Sequence, residues 1–185
     1  MRSYPLLLPA VLVIGLSAAV LGPVSSEAED KSLVAVRVHK VLLINNNPVV
    51  LLASEDDDSH LLVFIDHFMA QAIQFGLMDY TIERPLTHDL IGILLRRIGA
   101  KVAKITITDL KNDTYYALIS LQANGTTHQI DARPSDALAI AVRNKAPIYV
   151  SRKLMTHEAF PGDLLPVIPP EPAVPNVPDM PKHGA

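Results

Sequence analysis

Ile130-Asp131-Ala132-Arg133-Pro134-Ser135-Asp136-Ala137-Leu138-Ala139-Ile140-Ala141-Val142-Arg143 is the stretch from which the fold is read. It has the form of a strand end, a tight corner and a helix of small residues. Pro134 disfavours helix for Arg133. Ser135 suits an N-cap, and Asp136 then falls in the first turn, where the helix dipole favours negative charge. Ala137, Leu138, Ala141 and Val142 make an apolar stripe narrow enough for close packing. Asp131, Arg133 and Asp136 are thereby crowded onto one corner. Such a corner is either a salt-bridged joint or a site.

Outward from this corner, the chain reads as two similar passes. In the first, residues 33–44, 49–54 and 61–65 have strand character, separated by Asn45-Asn46-Asn47-Pro48 and by Glu55-Asp56-Asp57-Asp58. The acidic run lacks the alternating Asp-x-Asp-x-Asp-Gly order of a calcium loop, so it reads as a solvated turn. Helices follow at 68–77 and 87–98, the second with Thr87 as N-cap and Gly99 as its stop. In the second pass, strands at 102–110, 115–122 and 127–131 are divided by Lys111-Asn112-Asp113 and by Asn124-Gly125, a strong hairpin signal. The helix of the opening stretch and a short strand at 147–150 complete it. Ala70-Gln71-Ala72-Ile73 superposes on Ala137-Leu138-Ala139-Ile140. Arg84-Pro85-Leu86-Thr87-His88-Asp89-Leu90 also echoes Arg133-Pro134-Ser135-Asp136-Ala137-Leu138. The pattern predicts an α+β fold of duplicated strand-strand-strand-helix units, with a mostly antiparallel sheet packed by helices.

The flanks read differently. Arg2 precedes an uncharged apolar run at 6–21, which is short for a membrane span and is followed by small residues suited to cleavage. Residues 1–28 are expected to be a signal peptide, 29–32 a linker, 33–160 the domain and 161–185 a Pro-rich disordered tail carrying eight prolines. The expected location is exported, periplasmic or extracellular, with no stable membrane span after cleavage. An uncleaved N-terminal membrane anchor is the alternative.

Composition narrows the chemistry. The 185 residues include no cysteine, so disulfides, thiol catalysis and thiolate metal sites are excluded. Between residues 33 and 160 there are 13 basic and 13 acidic side chains. Contact with a polyanion would therefore need a local patch. Arg96, Arg97, Lys101 and Lys104 form one basic cluster and Arg143, Lys145, Arg152 and Lys153 another. Each suits either phosphates or the helix C-terminal dipole. Asp66, His88, Asp89, Asp131 and Asp136 sit at element ends. Phosphodiester hydrolysis requires charge on the phosphoryl oxygens and an activated water. Asp131 and Asp136 could share one Mg²⁺ or Mn²⁺ ion, with Arg133 as phosphate clamp and His88-Asp89 for acid–base or metal work. The alternative is that Arg133 pairs with an Asp and simply locks the corner.

The two Arg-Pro motifs, with Lys111-Asn112-Asp113-Thr114-Tyr115-Tyr116-Ala117 and Ala146-Pro147-Ile148-Tyr149-Val150 in the same order, resemble the bifunctional nuclease domain family. The resemblance runs over residues 34–155. It implies a duplicated α+β domain, a tendency to form homo-oligomers, and the activity on DNA and RNA reported for some members. The charged residues at the two matching helix starts make His88, Asp89, Asp131, Arg133 and Asp136 the candidate catalytic residues. Two positions depart from the family pattern: Asp66 stands where Gly is usual, and Met69 where Glu is usual. That departure, the neutral domain and the Pro-rich tail leave a second expectation open: a non-catalytic cell-envelope interaction or scaffold domain of the same fold.

Overall fold

Three two-residue turns set the architecture. Asn45 and Asn46, Asn112 and Asp113, and Asn124 and Gly125 all have positive φ, between 48° and 74°. Asn, Asp and Gly tolerate this region best, and two such residues in succession close a tight antiparallel hairpin. The computed structural model describes residues 32–80 and 83–158. The strands are β1 (Leu33–Ile44), β2 (Asn47–Ser54), β3 (His60–Phe64), β4 (Lys101–Lys111), β5 (Thr114–Ala123), β6 (Thr126–Ala132) and β7 (Ile148–Ser151). The helices are α1 (His67–Leu77), α2 (Thr87–Arg97) and α3 (Pro134–Asn144). The expected signal peptide, most of the linker and the Pro-rich tail lie outside the described residues. No described helix is long and apolar enough to cross a membrane.

The strands form one sheet in the order β3-β2-β1-β7-β4-β5-β6. Two meanders therefore run outward from β7, which pairs antiparallel with β1 and parallel with β4. The register aligns Val34, Val150, Ile107, Ala117 and Ala132 in one row across five strands. The neighbouring row, Ala35, Tyr149, Thr106, Leu118 and Asp131, projects to the other face, because adjacent residues of a strand point oppositely. The first row joins the core with Leu52, Ile73, Leu138 and Ile105, all fully buried. The helices cover this face, with α3 packed between α1 and α2. Small side chains allow that position: Ala137, Ala139 and Ala141 are each fully buried. A Cβ on Gly76 of α1 would collide with Val142 Cγ2 of α3, so this glycine sets how closely the two helices approach.

The duplication is explicit in the helices. α1 and α3 are both 11 residues long, and Ala70–Ile73 and Ala137–Ile140 occupy the same turns of each. The second echo has a different basis. Pro134 is the first residue of α3, whereas Pro85 precedes the N-cap Leu86 of α2. α2 has no counterpart after α3 among the described residues, so the Arg84-Pro85 corner is an insertion between the repeats. Two caps also differ from expectation. Arg133, not Ser135, is the N-cap of α3, because proline fits the first helical position, where no N–H is required. Leu86, not Thr87, caps α2, and the Asp89 carboxylate accepts the Leu86 N–H at 3.0 Å.

Candidate active site

The starts of α2 and α3 meet. Asp136, in the first turn of α3, accepts two hydrogen bonds from the N-cap Arg133: Nε to Oδ2 at 2.7 Å and Nη2 to Oδ1 at 3.1 Å. The bidentate arginine holds the Asp136 carboxyl below its ordinary range, against the opposing effect of partial burial. His88, in the first turn of α2, brings Nε2 to 3.7 Å from Asp136 Oδ1. That distance is longer than a hydrogen bond, and the contact is an ion pair only when the imidazole is protonated. The imidazole is recessed, with 13% of its side chain exposed, while Arg133 is 67% exposed. Arg133 keeps three of its five N–H donors free of Asp136. Asp66, the N-cap of α1, adds to the negative field around Arg133 and accepts Met69 N–H at 2.9 Å. Met69 itself is buried in the core.

Asp89 is held by Arg143. Arg143 Nη1 lies 2.6 Å from Asp89 Oδ1 and also donates to the Tyr80 carbonyl at 3.2 Å. Its stem runs beside Gly76, so one side chain ties all three helices together. Only 9% of it is exposed, and its Nε is buried without a hydrogen-bond partner. Between α2 and α3 lies a cleft of about 250 Å³. His88, Asp89, Gly92, Arg96, Arg143 and Asn144 line it.

Four of the five expected site residues, His88, Asp89, Arg133 and Asp136, thus belong to one corner. Asp131 does not join them. Its row is on the helix-free face of the sheet, it is exposed on the edge strand β6, and it makes no side-chain hydrogen bond or ion pair among the described residues. The single-ion pairing of Asp131 with Asp136 is not supported by this placement: consecutive strand residues alternate faces, and Asp136 projects from the helix layer. No group of three or more His, Asp or Glu side chains gathers among the described residues. Both oxygens of Asp136 and both of Asp89 are already engaged. This donor set does not fit a resident Mg²⁺ or Mn²⁺ ion. The two basic clusters also disperse. Lys145 pairs with Asp79, and Lys153 and Lys111 hold Asp109 at a pKa of about 2, while Arg96 and Arg143 come together at the cleft. Gly92 was passed over in the sequence, where a glycine inside a helical pattern, costly relative to alanine, is the one local hint of this cleft.

Fold and corner together define a duplicated α+β domain whose chemistry-bearing groups gather where two helices begin. The family described as bifunctional nuclease domain matches residues 50–162, and the chain belongs to that family. An uncharacterized protein of Mycobacterium tuberculosis (strain ATCC 25618 / H37Rv) is 36% identical over 96 residues, which is 52% of this chain and 57% of that protein. Bifunctional nuclease 1 of Oryza sativa subsp. japonica is 34% identical over 82 residues, and Bifunctional nuclease 1 of Arabidopsis thaliana is 30% identical over 82 residues. Each plant match covers 43% of this chain and 25% of the plant protein. The chain thus spans little more than half the length of the bacterial relative and a quarter of each plant one.

Proposed function

We propose that this protein is an exported nuclease that hydrolyses phosphodiester bonds of DNA and RNA with low sequence specificity. The observation that carries the reading is the contact of His88 with Asp136 across two helix starts, beside an arginine with donors to spare. In this mechanism Nε2–H faces the carboxylate, which leaves Nδ1 as the basic atom of the ring. Water attacks phosphorus while His88 takes its proton. The P–O ester bond breaks, and the departing oxygen receives the proton back from the imidazolium. Asp136, kept anionic by Arg133, stabilises the imidazolium while it exists. The remaining Arg133 N–H groups neutralise charge on the non-bridging oxygens. Because the donor set fits no resident divalent ion, no step is assigned to one. Asp89 acts through position: it caps α2 and anchors it to Arg143, which fixes where His88 stands.

The test is nuclease assay of purified protein and of His88→Gln and Arg133→Gln on DNA and RNA of several sequences. Loss of hydrolysis on every sequence in both variants, with unchanged melting temperature in His88→Gln, supports the reading. Export is tested by fractionation and by mass spectrometry of the N-terminus, where a start near residue 29 is expected. Self-association belongs to the same proposal and is read by light scattering. The saturation of Asp136 and Asp89 by arginines favours one other reading, a non-catalytic interaction domain whose corner is purely structural. It predicts that Arg133→Gln lowers stability and that the wild type hydrolyses neither nucleic acid.

A further inference from the structure

The cleft between α2 and α3 is cationic, recessed and small. Arg96 and Arg143 exceed Asp89 by one positive charge before His88 is counted. Arg96 is exposed and has no ion-pair partner among the described residues. Arg143 is more than nine-tenths buried, lines the cleft, and retains a buried Nε with no partner. Gly92 leaves the wall bare: a Cβ there would stand 3.1 Å from Asn144 Oδ1 and 3.3 Å from Arg96 Nη1. Arg96, Asn144 and the missing Cβ therefore shape one seat, on the same cleft that His88 lines.

We infer that this cleft seats a backbone phosphate of an unpaired nucleic-acid strand and excludes intact duplex. The seat offers the Arg96 guanidinium and the second N–H of the Asn144 amide, whose first bonds the Ile140 carbonyl at 2.8 Å; such donors bind phosphoryl oxygens. Access decides the strand state. His88 and Arg143 are only 13% and 9% exposed, so the phosphate has to enter the cleft to reach them. Duplex phosphates lie on the outside of a rod that is stiff over about 150 base pairs. Bringing one into a cavity of about 250 Å³ requires unpairing or sharp bending. A single strand bends its backbone at little cost and can thread the cleft. The inference rests on the nuclease reading only in taking His88 as the reacting end of the cleft.

The test is fluorescence anisotropy of the wild-type protein with a labelled phosphorothioate oligonucleotide of about 12 nucleotides, single-stranded or as the duplex of the same sequence. The expected result is single-strand binding at least roughly tenfold tighter than duplex binding. Arg96→Gln weakens single-strand binding about fivefold and reduces the salt slope by about one. Gly92→Leu, which fills the cleft, abolishes the preference. Because Arg96 is exposed, its variant remains informative if Gly92→Leu does not fold. Duplex binding as tight as single-strand binding overturns the inference, as does wild-type affinity in Arg96→Gln. Single-strand preference without any hydrolysis upholds this inference and removes the nuclease reading. Equal hydrolysis and equal binding of both forms does the reverse.

Discussion

Asp136 serves two partners with one carboxylate, and the pH response of the protein should show it. Its pKa is depressed in the folded state, chiefly by the hydrogen bonds from Arg133. A group with a lowered folded pKa stabilises the fold above its unfolded value and loses that contribution as pH falls toward the folded one. Urea unfolding between neutral pH and pH 3 should therefore show declining stability below about pH 4. Asp136→Asn should flatten that decline while lowering neutral-pH stability by about 1 kcal/mol, since the pair is partly exposed. Asp131 gives the opposite expectation. It is exposed on the other sheet face, so Asp131→Ala should leave both hydrolysis and stability unchanged. A titration of the free protein with Mn²⁺ should detect no site tighter than on the order of millimolar. A Mn²⁺ site lost in Asp131→Ala would restore the shared-ion arrangement.

Among the elements, α3 carries the most consequence, because both other helices are fixed against it. Gly76→Ala inserts a methyl group where Val142 stands. It should lower stability by about 1–3 kcal/mol despite alanine's better helix propensity, as read by urea melts. Arg143→Met keeps the stem but leaves the half-buried Asp89 carboxylate unpaired, at about 2 kcal/mol. Adding Asp89→Asn should recover part of that loss, which a double-mutant cycle measures. At this scale much was legible in the sequence. Asn-Gly and Asn-Asp turns, alternating strands and the shared Ala-x-Ala-Ile pattern place nearly every element, because those signals act locally. The caps were less legible. Serine and threonine were the better N-cap residue types, but proline at the first helical position moved one cap to Arg133. Partners distant in sequence were not legible: the link from Arg143 to Asp89 depends on helix packing, which no local pattern encodes.

At the scale of the whole molecule, two β-meanders flank β7 and the helices lie on one face. This arrangement turns an internal duplication into a site that is not itself duplicated. The first repeat supplies Asp66 and Met69 where the second supplies Arg133 and Asp136. The inserted α2 then brings His88 to the second corner alone. The sequence pointed to two equivalent Arg-Pro corners, and the fold makes one of them the partner of the other. Four of five candidate site residues were recognisable as charged groups at helix starts. Asp131 was misplaced, because sequence proximity to Arg133 conceals the change of face at the strand end. The neutral domain also concealed its local charge: six of its lysines and arginines are held in ion pairs among the described residues, while Arg96, which has none there, lines the cleft. The central claim is that His88, backed by Asp136, performs the proton transfers of phosphodiester hydrolysis. The most direct measurement is the single-strand hydrolysis rate of wild type and His88→Gln across pH, with melting temperature as control. The variant is expected to lose at least roughly a hundredfold in rate at unchanged melting temperature. The dependence of the rate on pH is also expected to differ between the two proteins. An equal rate in both proteins, with the same pH profile, would contradict the central claim.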